Sequence, residues 1–279
     1  MTERQHTTHA GLTRIDELFV RTRAENRAAL VGYLPAGFPT KELSIKAIEA
    51  MVEGGVDLVE VGLPYSDPVM DGPTIQAAAE QALRAGTRTT DVFDVVRASA
   101  ATGAPTVVMT YWNPVERFGV NRFAEALADA GGAGLITPDL IPDEATEWVA
   151  ASEQYGLDRI FLVAPSSTDA RLAMTAEAAS GFVYATAVMG VTGAREQTSS
   201  LGPELVARLR QVTDKPVGVG LGVSNGEQAR EVAEFADAVI VGSALVRCLL
   251  DAPDESSGLE AIRRLAQDLR AGVERNQTT

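Results

Sequence analysis

Short apolar runs alternate along the chain with longer stretches of helical periodicity. The runs are AALVGYL (28–34), DLVEVG (57–62), PTVVMTYW (105–112), GAGLIT (132–137), RIFLVA (159–164), FVYATA (182–187), PVGVG (216–220) and AVIVG (238–242). Each has the length of a buried strand and ends in Gly, Pro or polar residues. Between them lie ELSIKAIEAMVEGG, TIQAAAEQALRAG, EATEWVAASEQYG and EQAREVAEFAD, several of them closing on Gly, a frequent helix C-cap. An amphipathic helix is predicted over 11–27, with Leu12, Ile15, Leu18 and Phe19 at helical spacing. Segment 86–101 is predicted to hold an additional helix between the second and third strands.

Eight strand–helix units without a long linker or a break in composition predict an α/β chain folded as one (β/α)8 TIM barrel. The barrel spans 11–279 with an additional N-terminal helix, after a disordered tail over 1–10. A doubly wound open sheet is the alternative. Eight regular units in about 250 residues match the usual size of the barrel, and no GxGxxG follows the first strand.

Composition narrows the function. A formal charge of −14 argues against a nucleic-acid or anionic-membrane partner, both of which need positive surface. No apolar run approaches the roughly 20 residues that span a bilayer. The polar N-terminus, MTERQHTTHAG, has no apolar export segment, so the expected location is cytoplasmic. The lone cysteine, Cys248, reads as packing. Of 24 basic residues only Lys41, Lys46 and Lys215 are lysine, and both histidines, His6 and His9, lie in the tail.

One charge interrupts the apolar pattern. In the second strand, alternation puts Val56, Leu58 and Glu60 on one face, with Val59 and Val61 turned to the helix layer. Glu60 then points into the barrel mouth, where catalytic groups of this fold sit. A structural ion pair would need a cation, and no strand carries Lys or Arg near its C-terminal end; Arg159 begins the fifth strand, at the other face. Burial would raise the Glu60 pKa toward a range useful for general acid/base chemistry. Asp71, in MDGPT, reads equally as a partner to Glu60 or as the N-cap of the next helix.

The segments that follow strands six, seven and eight are MGVTGAREQTSSLG, GLGVSNGE and GSALV. Small residues at three successive strand ends let a ligand approach backbone N–H groups, and this is where barrels of the class bind phosphate. Gly193, Gly222, Gly242 and Ser243 are the candidates, although such glycines can simply make tight turns.

With these residues placed, the sequence resembles the tryptophan synthase α subunit family from about Leu12 to about Leu269. The most specific match is VEVGLPYSDPVMDGPTIQ (59–76); LVGYLPAGFP (30–39), TYWNP (110–114), PDLIPDE (138–144), GVTGAR (190–195), GLGVS (220–224) and VGSALV (241–246) support it. The resemblance implies a lyase of tryptophan biosynthesis that cleaves indole-3-glycerol phosphate to indole and glyceraldehyde 3-phosphate by a retro-aldol step. It implies Glu60 as principal acid/base and Asp71 as acceptor of the indole N–H. It places Tyr33, Ile75, Ile136 and Tyr184 on the indole pocket, Thr192 against the aspartate when its loop closes, and phosphate on Gly193, Gly222, Gly242 and Ser243. It further implies an αββα complex with a pyridoxal-phosphate β subunit, contacted through Asp67, Asn113, Pro138, Asp139 and Pro142. No cofactor is expected in this chain. Ala187 and Val188 stand where the family often has Ser-Arg, and Leu221 where many members have Phe.

The residue supply agrees. A Schiff-base aldolase needs a lysine at the mouth, and a zinc aldolase needs imidazole ligands. A sugar-phosphate isomerase would explain the glycines but not the paired carboxylates. A non-catalytic, ligand-binding regulatory subunit is the reading from a different class.

Overall fold

The computed structural model describes residues 11–186 and 198–275, leaving aside the side chains of 198–200. Eight parallel strands close into a barrel in sequence order: β1 Ala29–Pro35, β2 Leu58–Gly62, β3 Thr106–Met109, β4 Gly134–Thr137, β5 Asp158–Val163, β6 Val183–Thr186, β7 Val217–Gly220 and β8 Ala238–Val241. β8 pairs with β1 through Ala29 opposite Ala238, so no edge is left open. The open-sheet alternative is thereby excluded.

The strand sequences are apolar on both faces because both are covered. Leu30, Leu34, Val59, Val61, Val108 and Leu135 join the layer between strands and helices, whereas Val31, Leu58, Val107, Ile136, Ile160 and Ile240 fill the interior. Val56 was expected beside Leu58 and Glu60. It precedes β2, where alternation no longer applies, and packs in the outer layer.

The foot of the barrel is closed by α1 (Arg14–Ala24). Ile15, Leu18 and Phe19 are buried against Phe182 and the interior cluster, each contributing about 1.5–3 kcal/mol by apolar burial. This helix is shorter than the periodicity suggests. Thr13 caps it reciprocally with Asp16, leaving Leu12 outside and exposed; Asn26, at φ 53°, turns the chain out of it. Arg14 reaches past the helix to the carbonyls of Gly131 and Ala104, tying α1 to the loops below the strands.

The remaining helices are α2 (Lys41–Glu53), α3 (Pro73–Arg84), α4 (Thr89–Ala101), α5 (Trp112–Phe118), α6 (Val120–Asp129), α7 (Thr146–Tyr155), α8 (Asp169–Ala178), α9 (Thr198–Leu209), α10 (Gly226–Ala233), α11 (Ser243–Leu250) and α12 (Glu255–Gly272). The sequence suggests that the helix within 86–101 is the additional one. In the structure that helix, α4, covers β2 and β3 as a regular barrel helix, and α3 is the addition, lying against β1 and α11. The chain between β2 and the outer layer therefore first builds a helix at the mouth.

Candidate active site

β2 carries Glu60 up its inner face, in register with Tyr33 of β1 and Val107 of β3. Glu60 is 1% exposed, and among the described residues its Oε2 has no hydrogen-bond partner. Burial, and then the nearby Asp71 carboxylate, push its pKa up to about 8. Among the described residues no cation pairs with it; Arg159 is at the opposite end, bonded to Ser152 and to the carbonyl of Ala178.

Asp71 ends the loop that follows β2. It does not cap α3 with its side chain: Gly72 is the N-cap and Pro73 opens the helix. The Asp71 side chain instead accepts a 2.9 Å hydrogen bond from the Tyr111 hydroxyl. Burial raises its pKa, and the Tyr111 bond opposes that rise. Of the two carboxyl groups, Asp71 is thus the readier to ionise.

Between the carboxylates and the ends of the last strands lies a cavity of about 250 Å³. Tyr33, Ile75, Met109, Leu162, Tyr184 and Ile240 supply much of its wall. Tyr33 and Tyr184 are phenols whose pKa burial lifts well above the ordinary value, helped by the adjacent carboxylates, so both stay neutral hydroxyls. The far wall is Gly220, Gly222, Gly242 and Ser243. Gly222 has φ 70°, a left-handed conformation that favours glycine. Ser243 begins α11, so the amides of its first turn have no partner within the helix and can serve an anion.

The chain matches the family model described as "Tryptophan synthase alpha chain" over residues 19–274. It is 64% identical over 262 residues to the tryptophan synthase alpha chain of Salinispora tropica, covering 94% of this chain and 98% of that one. It is 61% identical over 268 residues to that of Acidothermus cellulolyticus, covering 96% and 100%. The chain belongs to the tryptophan synthase alpha chain family. Its backbone is correspondingly similar to the structure of Mycobacterium tuberculosis tryptophan synthase, with a TM-score of 0.88 at 57% identity, covering 94% of this chain and 99% of that chain. At only 32% identity, a Legionella pneumophila alpha chain still aligns at a TM-score of 0.84 over 96% of this chain and all of its own.

Against this alpha-chain frame, most site residues expected from sequence converge. Glu60, Asp71, Tyr33, Ile75, Tyr184, Gly222, Gly242 and Ser243 all line the one cavity. Ile136 does not reach it: it is fully buried in the interior layer, opposite Met109 and Ile160 across the strand register. Thr192 and Gly193, with Ala187 and Val188, lie outside the described residues. Leu221 packs partly buried against the outer core.

Sequence reasoning missed Met70, Gly72, Met109, Leu162, Thr186, Gly220 and Ile240 on the wall. Alternation could have found Met109, Leu162 and Ile240, since each points inward close to a strand's end. The contact-surface candidates fall in the segments that follow β2, β3 and β4, with Asn113 in the first turn of α5. Asp67 and Asn113 are exposed, and Asn113 donates to the Tyr65 hydroxyl at 3.0 Å. Asp139 accepts from the Trp112 amide at 2.8 Å, Pro138 is partly buried, and Pro142 opens a short 3-10 turn.

The lysines are engaged elsewhere. Lys41 pairs with Asp91 and Asp94, and Lys215 donates to the carbonyls of Ala176, Glu177 and Ala179. Lys46 is exposed on α2. None faces the cavity, so these residues do not fit an aldehyde cofactor held as a Schiff base.

Proposed function

We propose that the chain cleaves indole-3-glycerol phosphate to indole and glyceraldehyde 3-phosphate as the α subunit of tryptophan synthase, with Glu60 and Asp71 as its acid/base pair. One observation carries the residue assignment: a buried Glu60, with no cation beside it among the described residues, faces the same cavity as Asp71 and as the glycines of the last two strand ends.

At neutral pH a carboxyl group with a pKa near 8 holds its proton. Glu60 donates that proton to C3 of the indole ring, while Asp71, as carboxylate, accepts the ring N–H and offsets the positive charge that develops. Glu60 then takes the proton of the substrate hydroxyl beside the scissile bond. The C–C electron pair returns to the ring, indole leaves, and the aldehyde forms. Glu60 ends protonated, as it began. The Tyr33 and Tyr184 rings and Ile75 enclose the indole. Phosphate rests on the amides at Gly222, Gly242 and Ser243, which lets a chain of charge −14 bind an anion locally.

The segments bearing Asp67, Asn113, Pro138, Asp139 and Pro142 are the surface for the β subunit in an αββα assembly, and pyridoxal phosphate belongs to that partner. No described helix is long and apolar enough to cross a membrane, in keeping with a cytoplasmic location. The test is to supply indole-3-glycerol phosphate to the purified chain, with and without a β subunit, and measure indole. Release of indole is expected in both cases and more in the complex; none in either would overturn the assignment.

A further inference from the structure

We infer that Tyr111 is a positioning residue for the acid/base pair, its hydroxyl fixing both the backbone and the carboxylate of the loop that brings Asp71 to the cavity. The inference rests on the lyase reading above and adds a residue to it.

The loop from Leu63 to Gly72 is loosely built. Val69 is 76% exposed and Met70 47% exposed, so apolar packing does little to hold its far half. Its near end is tied by the Leu63 amide to the Met109 carbonyl, and at its far end the Gln76 side chain donates to the Asp71 carbonyl. Tyr111, by contrast, is 5% exposed. Its hydroxyl accepts the Met70 N–H at 3.0 Å and donates to Asp71 Oδ1 at 2.9 Å. One group thus fixes where the backbone passes and which way the carboxylate faces. The ring is itself held, with its centroid 5.4 Å from that of Tyr65. Asn113 clamps the Tyr65 hydroxyl, and the Trp112 amide is bound by Asp139.

The hydroxyl also acts on charge. Donation to a carboxylate favours its ionised form, and Asp71 must be ionised to accept the indole N–H. Burial pushes the Tyr111 phenol up to about 12, so it keeps the proton it donates. Among the described residues, the other titratable groups on the cavity with Asp71 are Glu60 of β2 and the phenols Tyr33 of β1 and Tyr184 of β6. None of these donates a hydrogen bond to Asp71 in the structure.

The experiment compares wild type with Tyr111→Phe, which keeps the ring on Tyr65 and removes only the hydroxyl, each with its β subunit. The kcat for indole release should fall about 10- to 100-fold with KM nearly unchanged, because a misplaced group costs rate more than binding. The acid limb of kcat/KM should move to higher pH as Asp71 loses its donor. Unchanged kcat and acid limb would overturn the inference. So would a lower kcat with an unmoved acid limb and a lower melting temperature, which is what a structural role gives. A wild type that releases no indole counts against the lyase reading, and the carboxyl titration then decides the inference alone. Followed by carboxyl-13C NMR with Asp71→Asn as assignment control, the Asp71 midpoint should rise by roughly one pH unit in Tyr111→Phe; an unmoved midpoint would overturn the inference.

Discussion

Asp57 at the foot of β2 and Glu60 near its top are buried carboxylates three residues apart, in opposite surroundings. Asp57 is gripped by both terminal nitrogens of Arg27, at 2.6 and 2.8 Å, and by the Leu30 amide at 2.9 Å. Among the described residues Glu60 meets no cation, and its Oε2 has no partner. The chain through β2 therefore carries one carboxylate ion-paired for structure and one carboxyl group kept neutral for chemistry, in keeping with the division of this fold between a stabilising foot and a reactive mouth. Asp158 sharpens the rule. It too is buried, has an Oδ2 without a partner and has a raised pKa. It lies under α1, within reach of the Thr13 and Ser180 hydroxyls, and does not line the cavity that Glu60 faces. An unpartnered carboxylate marks a site only where a substrate can reach it.

The largest expected effect separates the two ends by function. Glu60→Gln should lower indole release about 10²–10⁴-fold, while binding of a glycerol phosphate ligand, measured by calorimetry, is retained. Breaking the foot should do the reverse. Arg27→Leu leaves the buried Asp57 with only the Leu30 amide and a longer, 3.7 Å pairing to the exposed Arg21, and is expected to cost about 3 kcal/mol of stability in urea unfolding, with turnover per folded molecule unchanged. Equal loss of turnover and stability in both variants would erase the distinction.

A third effect concerns Glu60 alone. Its folded pKa lies above its unfolded value, so the folded state binds more protons from pH 4.5 up to about 8. Stability contributed by neutral Glu60 is complete below that window and declines through it by about 1.4 kcal/mol per unit. Gln cannot ionise. Glu60→Gln should therefore be more stable than wild type by about 3 kcal/mol at pH 7 and equal to it near pH 4. Identical pH dependence of the two melting curves would contradict a raised pKa. The smallest effect lies at the end of the strand. A Cβ at Gly62 would sit 2.3 Å from the Tyr33 hydroxyl, so Gly62→Ala must displace that phenol from the cavity wall. The expected cost is about 1–3 kcal/mol, read as a higher KM with the fold intact by circular dichroism.

The barrel was legible because both its layers leave apolar runs of strand length separated by helical periods. Glu60 was legible because a charge broke such a run. What stayed hidden depended on depth or on contacts between loops. Alternation tells which face a residue takes but not how far down the barrel it lies, so it does not separate Ile136, which the family resemblance puts on the pocket, from Met109, its neighbour in the register, which lines it. Asp71 could not be separated from a helix cap by sequence alone, since the Tyr111 hydroxyl that claims it comes from another loop, 40 residues on. Likewise Thr13 shortens α1 by bonding to Asp16, a choice that periodicity does not encode.

Central to the mechanism is that Glu60 is a neutral acid at physiological pH, because the barrel buries it beside Asp71 and no cation among the described residues pairs with it. The most direct measurement is a carboxyl-13C NMR titration of glutamate-labelled protein, with Glu60→Gln identifying the resonance by its disappearance. The account expects a midpoint near pH 8. A midpoint near the ordinary glutamate value, about 4.3, would mean that Glu60 is ionised at neutrality and would contradict its role as the proton donor.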